Sequence, residues 1–179
     1  MAVGNLEFIK SASGTSVSSL SVTDCFSANY DVYYFALAVT NQSSGTANID
    51  ARLLDSGGSE VSTSTYDFAG LDLNSYTTFA EIRLTSQTSY KNLTISDNDN
   101  PQEDGNAGFY IFNPYDSSSY TFITNQSAMI IESGGVTNRF RGRKSIYVEK
   151  TAQTNTGLKF IPTIGNCDIN VSVYGLASK

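Results

Sequence analysis

Apolar and polar residues alternate singly along much of this chain, and no stretch shows a sustained helical period with caps. Ile169, Val171 and Val173 point one way while Asp168, Asn170, Ser172 and Tyr174 point the other. Ile49, Ala51 and Leu53 alternate in the same manner with Asn48, Asp50 and Arg52. Period two is the mark of a strand with one buried and one wet face. Val32–Thr40 is apolar on both faces and reads as a central strand. The pattern predicts strands at Leu6–Ser11, Ser19–Thr23, Val32–Thr40, Thr46–Leu54, Ser62–Phe68, Thr77–Thr85, Asn92–Ser96, Ala107–Asn113, Tyr120–Thr124, Ala128–Glu132, Ser145–Lys150, Gly157–Pro162 and Asp168–Tyr174. Strands at that spacing build a sandwich or a barrel. Ser16 to Val22 has room for one helical turn at most.

Turn chemistry divides the chain at matching places. Asp55-Ser-Gly-Gly-Ser59 follows Leu53-Leu54, Ser133-Gly-Gly-Val136 follows Met129-Ile-Ile, and Asn113-Pro114 closes Phe109-Tyr-Ile-Phe112. No internal repeat of solenoid or propeller length is present. The expectation is one all-β domain over residues 1–179, a single antiparallel β-sandwich of jelly-roll-like type. The last apolar alternation is expected to close a sheet and to leave no room for a separate anchor.

Composition agrees with this reading. The chain holds 25 Ser, 18 Thr and 15 Asn against 21 Tyr and Phe, a mixture that suits short strands with polar turns and suits helices poorly. At 179 residues it can bury roughly 70% of its unfolded surface and needs no staple. Cys25 and Cys167 are the two cysteines, expected as free, partly buried thiols of a reducing compartment, with a single disulfide between them as the alternative. The start, Met-Ala-Val-Gly-Asn-Leu-Glu, lacks the basic flank and apolar core of a signal peptide, so the sequons at Asn41, Asn92, Asn125 and Asn170 read as chance. No apolar run approaches the roughly 20 residues of a membrane helix. A net charge of −6 supplies no global attraction for nucleic acid or anionic membrane.

The chemistry is limited by what is missing. Without histidine there is no Ser-His-Asp or Cys-His arrangement, and the commonest transition-metal ligand is absent. Paired carboxylates remain as a means of glycoside chemistry, with Asp67, Glu81, Asp97, Asp99, Glu103 and Asp104 as candidates, though no tryptophan offers a stacking platform. Asp97-Asn-Asp-Asn-Pro-Gln-Glu-Asp-Gly105 is the densest acidic segment. Its Asp97, Asp99, Glu103 and Asp104 offer hard oxygen ligands for calcium, without EF-hand spacing, and the same composition describes a solvated loop. Arg139, Arg141, Arg143 and Lys144 place four of the chain's 11 cations in six residues. This local positive site is suited to an acidic neighbouring subunit or to lipopolysaccharide phosphates, or else is neutralised by the protein's own carboxylates. Tyr30, Tyr33, Tyr34, Tyr66, Tyr110, Tyr115, Tyr120 and Tyr147 are candidates for an aromatic sugar-binding or subunit surface, and equally for ordinary sheet packing.

Four segments carry a resemblance: Asn29-Tyr-Asp-Val-Tyr-Tyr-Phe35, Arg52-Leu-Leu-Asp-Ser-Gly-Gly58, Thr65-Tyr-Asp-Phe68 and Ile169-Asn-Val-Ser-Val-Tyr-Gly-Leu176. In this order, and spanning nearly the whole chain, they resemble the β-sandwich virion structural proteins of tailed bacteriophages, of tail-fibre, receptor-binding or capsid-associated type. The resemblance implies a jelly-roll-like sandwich, multimeric display on a particle and no catalysis or cofactor. The expected protein is therefore a tail-associated virion component made in the host cytoplasm. Its expected partners are other virion proteins, two further copies in a homotrimer, and a host surface glycan or lipopolysaccharide, with no nucleic acid and no membrane insertion. A capsid decoration protein and a carbohydrate-active enzyme are the alternatives.

Overall fold

The computed structural model describes residues 6–98, 105–133 and 136–176. The elements are β1 (Leu6–Val17), β2 (Leu20–Val22), β3 (Val32–Thr40), β4 (Ala47–Asp55), β5 (Tyr66–Asn74), β6 (Ala80–Gln87), β7 (Tyr90–Ser96), β8 (Gly105–Phe112), β9 (Thr121–Ser133), β10 (Val136–Glu149), β11 (Asn155–Pro162) and β12 (Cys167–Leu176). The described residues contain no helix, and none long and apolar enough to cross a membrane. Residues 16–22 are divided between β1 and β2 rather than forming a helical turn.

Two sheets face each other, an eight-stranded one in the order β1-β12-β3-β8-β9-β10-β5-β6 and a four-stranded one in the order β2-β11-β4-β7. Every pairing is antiparallel. Removing β5, β6, β9 and β10 leaves β1-β12-β3-β8 over β2-β11-β4-β7, the paired four-stranded sheets of a jelly roll. The two removed pairs are inserted hairpins that widen one sheet only. The terminal strand, expected to close a sheet, lies inside it, hydrogen-bonded to β1 on one side and β3 on the other.

The core lies between the sheets. Phe35 of β3 and Phe109 of β8 are cross-strand partners whose rings stack at 5.0 Å and 8°. Phe160 of β11 meets them from the small sheet at 6.4 and 6.3 Å. A second aromatic bridge joins Phe68 and Tyr147 of the inserted strands to Tyr90 of β7, with Tyr66 edge-on to Tyr90 at 4.7 Å. Two glycines permit close backbone approach: a Cβ on Gly105 of β8 would lie 2.0 Å from the carbonyl oxygen of Ile95 on β7 in the facing sheet, and one on Gly157 of β11 would lie 2.2 Å from that of Val22 on its sheet neighbour β2.

The central strand β3 differs from its sequence pattern in one respect. Tyr33, Phe35, Leu37 and Val39 fill the core, whereas Tyr34, Ala36 and Ala38 lie on the outer side of the large sheet, partly or fully exposed. Their apolar character belongs to a surface. Cys25 and Cys167 are buried free thiols, and burial pushes them up to about 12 and about 11 respectively.

Candidate functional site

Alternation along β10 splits the basic cluster. Arg141 and Arg143 turn inward while exposed Lys144 turns outward. Arg143 donates from Nε to Asp72 Oδ1 at 2.6 Å, from Nη2 to Asp72 Oδ2 at 3.2 Å and from Nη1 to the Asn92 carbonyl at 2.8 Å. Arg141 donates to the same Asp72 Oδ2. Burial raises the Asp72 carboxyl, but the two guanidinium groups outweigh it and hold the carboxyl below its usual range. Arg139 pairs through its backbone with Ile131, and its side chain lies outside the described residues.

The inner face is polar here because the inserted hairpins run past the cover of the small sheet, meeting chiefly its edge strand β7. Asn125 donates to the Leu93 carbonyl and to Ser145 at that boundary. Asp72 offsets one of the two positive charges, and Arg141, whose side chain is 23% exposed, keeps the other in reach of solvent.

The acidic candidates are dispersed. Asp99, Glu103 and Asp104 lie outside the described residues. Asp97 is 3% exposed and accepts hydrogen bonds from Thr46 Oγ1 at 3.1 Å and the Asn98 amide at 2.9 Å. Asp67 is ion-paired to Lys150 at 2.8 Å and accepts from the Ser86 amide; those bonds lower its carboxyl, the lysine contributing most. Glu81 is exposed on the edge strand β6. Among the described residues, no group of three or more carboxylates or thiols is placed to hold a metal ion.

The outer face of the large sheet has more organisation. Register places Phe8, Tyr174, Tyr34 and Tyr110 side by side on β1, β12, β3 and β8, and continues the same row through Thr124, Ile146, Ala69 and Arg83. The four rings contact in sequence at 5.7, 6.3 and 5.1 Å. One step further along the strands, the next row is Ser11, Ser172, Ala36, Gly108 and Gln126. Tyr34 leans over Gly108, its hydroxyl 2.7 Å from where a Cβ would stand. Small residues beside a row of rings leave a trough of about 690 Å³.

The other half of this face, on the inserted strands, carries large apolar side chains on either side of a largely polar row, Gln126-Lys144-Leu71-Glu81. Phe122 (43% exposed), Phe140 (53%) and Ile146 (60%) project outward. Phe122, Ile146 and Val148, with Asp67, Arg83 and Thr124, surround a hollow of about 500 Å³.

Of the tyrosines picked out in the sequence, Tyr33, Tyr66 and Tyr147 belong to the core, whereas Tyr34 and Tyr110 stand in the surface row. Phe8, Tyr174 and the small residues of the trough escaped sequence reading. Their alternation marks a wet face, but only the cross-strand register brings them together.

No known protein-family profile matches this chain, and no curated protein matches it. Similar solved structures include a marine PL-14 alginate lyase from Aplysia kurodai, 9% identical over 81% of this chain and 71% of that one, with a TM-score of 0.26. A fructofuranosidase from Schwanniomyces occidentalis is 6% identical over 97% and 34%, with a TM-score of 0.20. A VP2 protein of infectious bursal disease virus is 12% identical over 97% and 35%, with a TM-score of 0.14. Likenesses at this level carry no weight for function.

Proposed function

We propose that this chain is a non-enzymatic structural protein of a tailed-phage virion, tail-associated and displayed as a homotrimer for contact with the host. The observation that carries the reading is the apolar outer surface of the inserted strands, around Phe122, Phe140 and Ile146. Water-facing sheet surfaces are normally polar, and several large exposed apolar side chains on one favour a protein contact. Four strands at about 4.8 Å spacing and about 30 Å long give a mixed face on the order of 600 Å² in all, close to the ~800 Å² per partner of a stable interface. Its occupant is another copy of this chain, three copies turning the patch toward a common axis. Charges of both signs lie on the same face, Glu81 and Arg83 on β6 and Lys144 on β10 between Ile146 and Phe140, and allow identical surfaces to complement one another.

The jelly roll is shared by capsid and lectin domains, which makes the reading compatible with the fold without deriving it from the fold. Light scattering on the purified chain tests it. The expected mass is that of three 19.3 kDa chains, falling to one chain in an Ile146→Asp, Phe122→Asp variant that keeps its β circular dichroism. A wild-type monomer at micromolar concentration overturns the trimer, and several hundred copies per particle overturn the tail assignment in favour of capsid decoration.

A further inference from the structure

We infer that the trough beside the Tyr34 row binds a neutral glycan chain, laid across the strands of the large sheet. This deepens the proposed host contact and rests on it. No charged residue lines the trough, although the protein carries 28 ionisable Lys, Arg, Asp and Glu residues in all, 11 basic and 17 acidic. A phosphate-bearing or uronic ligand would find no counter-charge there.

What the trough does offer is hydroxyls and amides. Ser11, Ser13, Asn106, Asn170 and Ser172 line it, and within the described residues none of these side chains makes a hydrogen bond to the protein. They are donors and acceptors left for solvent or a ligand. Ala36, Ala38 and Gly108 keep the floor low, so that a ligand reaches those groups without meeting a long side chain.

The rings supply the other half of sugar recognition. A pyranose presents C–H bonds on its faces and hydroxyls around its edge. An aromatic face, negative at its centre, attracts such C–H groups while apolar area is removed from water. Tyr34 forms one wall of the trough, its ring laid over Gly108, and Tyr110 and Tyr174 flank it in the row. Strands repeat every 4.7–4.9 Å, close to the length of one sugar residue. A chain running across β1, β12, β3 and β8 thus meets a ring or a polar pair at each step.

The test is binding of the full chain to an immobilised panel of neutral bacterial polysaccharides (glucans, galactans and mannans), with alginate and phosphorylated lipopolysaccharide as anionic probes. Binding to at least one neutral polysaccharide is expected, reduced tenfold or more by Tyr34→Ala and by Ala36→Arg. Ala36 is exposed, so its substitution blocks the trough even where loss of Tyr34 disturbs the sheet. Retention of anionic probes alone, no neutral binding, or neutral binding unchanged by Ala36→Arg overturns the inference. Mass measured on the same variants separates the two proposals. A trimer without glycan binding removes this inference alone, and a glycan-binding monomer removes the trimer alone.

Discussion

Arg143 and Asp72 are direct cross-strand partners on β10 and β5, joined at 2.6 Å, with both side chains no more than 3% exposed. A charge taken out of water at such a position is tolerable only while it is paired. Asp72→Asn removes the anion and leaves two guanidinium groups facing the interior. Denaturant unfolding is expected to show a loss of about 3–5 kcal/mol, the usual consequence of breaking a buried pair from one side.

The same pair sets an acid limit. Asp72 titrates below its ordinary 3.8 in the folded protein, so the unfolded chain takes up the proton first as pH falls. The stabilisation is complete above that ordinary value and is lost as pH drops through the lower folded one. Melting temperature followed from pH 5 to pH 2 should fall more steeply for the wild type than for Asp72→Asn. Parallel curves would show that the acid transition belongs to other carboxylates.

At the alkaline end the buried phenols act. Burial pushes Tyr66, Tyr90 and Tyr147 upward from their ordinary 10.0. The unfolded state therefore ionises first as pH rises, and stability present below pH 10 declines above it. Ultraviolet titration should show some of the 11 tyrosines ionising reversibly in the folded state. The remainder should ionise only together with loss of the far-ultraviolet β signal. A single smooth titration with the fold intact would contradict the burial of these rings.

The fold was legible where alternation was regular. Ile169, Val171 and Val173 face the core as their spacing predicts, and the strand at Val32–Thr40 appears with those bounds. Local pattern could not join Tyr120–Thr124 to Ala128–Glu132, which form one continuous strand, β9. The intervening Asn125-Gln-Ser127 looks like a break in apolar character, but its inward members Asn125 and Ser127 face the polar margin of the interior. Arg141 and Arg143 stood between two readings, a contact surface or neutralisation by the protein's own carboxylates, because the anion opposite them, Asp72, is far away in sequence and is brought there only by register. Lys144, next in sequence, is the outward member that local pattern describes well. The trough was invisible because it depends on register across β1, β12, β3 and β8, separated in sequence and adjacent only after pairing.

Close approach of two neighbouring strands in the small sheet leaves Gly157 no room for a side chain. Gly157→Ala drives a methyl group to within 2.2 Å of the Val22 carbonyl oxygen, and backbone there cannot swing aside as a side chain would. An overpacking cost of about 1–3 kcal/mol is expected. Gly58→Ala is the control, since nothing lies within 4 Å of its Cβ and only its φ of +78° opposes the change. That substitution should cost about 1–2 kcal/mol, the penalty of left-handed backbone alone. Thermal unfolding should also show the Gly157 variant, and not the Gly58 one, loosening the β2–β11 contact in hydrogen exchange.

Two phenylalanines on opposite sides of the large sheet separate folding from assembly. Phe160, fully buried, packs against Phe35 and Phe109, so truncation to Ala removes aromatic contacts from both sheets and leaves a cavity. A loss of about 3–5 kcal/mol in unfolding free energy is expected. Phe122 is 43% exposed on the outer face and contributes less to the monomer's own core. Phe122→Ala should leave unfolding within about 1 kcal/mol of wild type when measured below the association threshold, while lowering the mass of the assembled species at higher concentration. Equal destabilisation by the two substitutions would mean that the outer face is part of the monomer's stability rather than a contact surface.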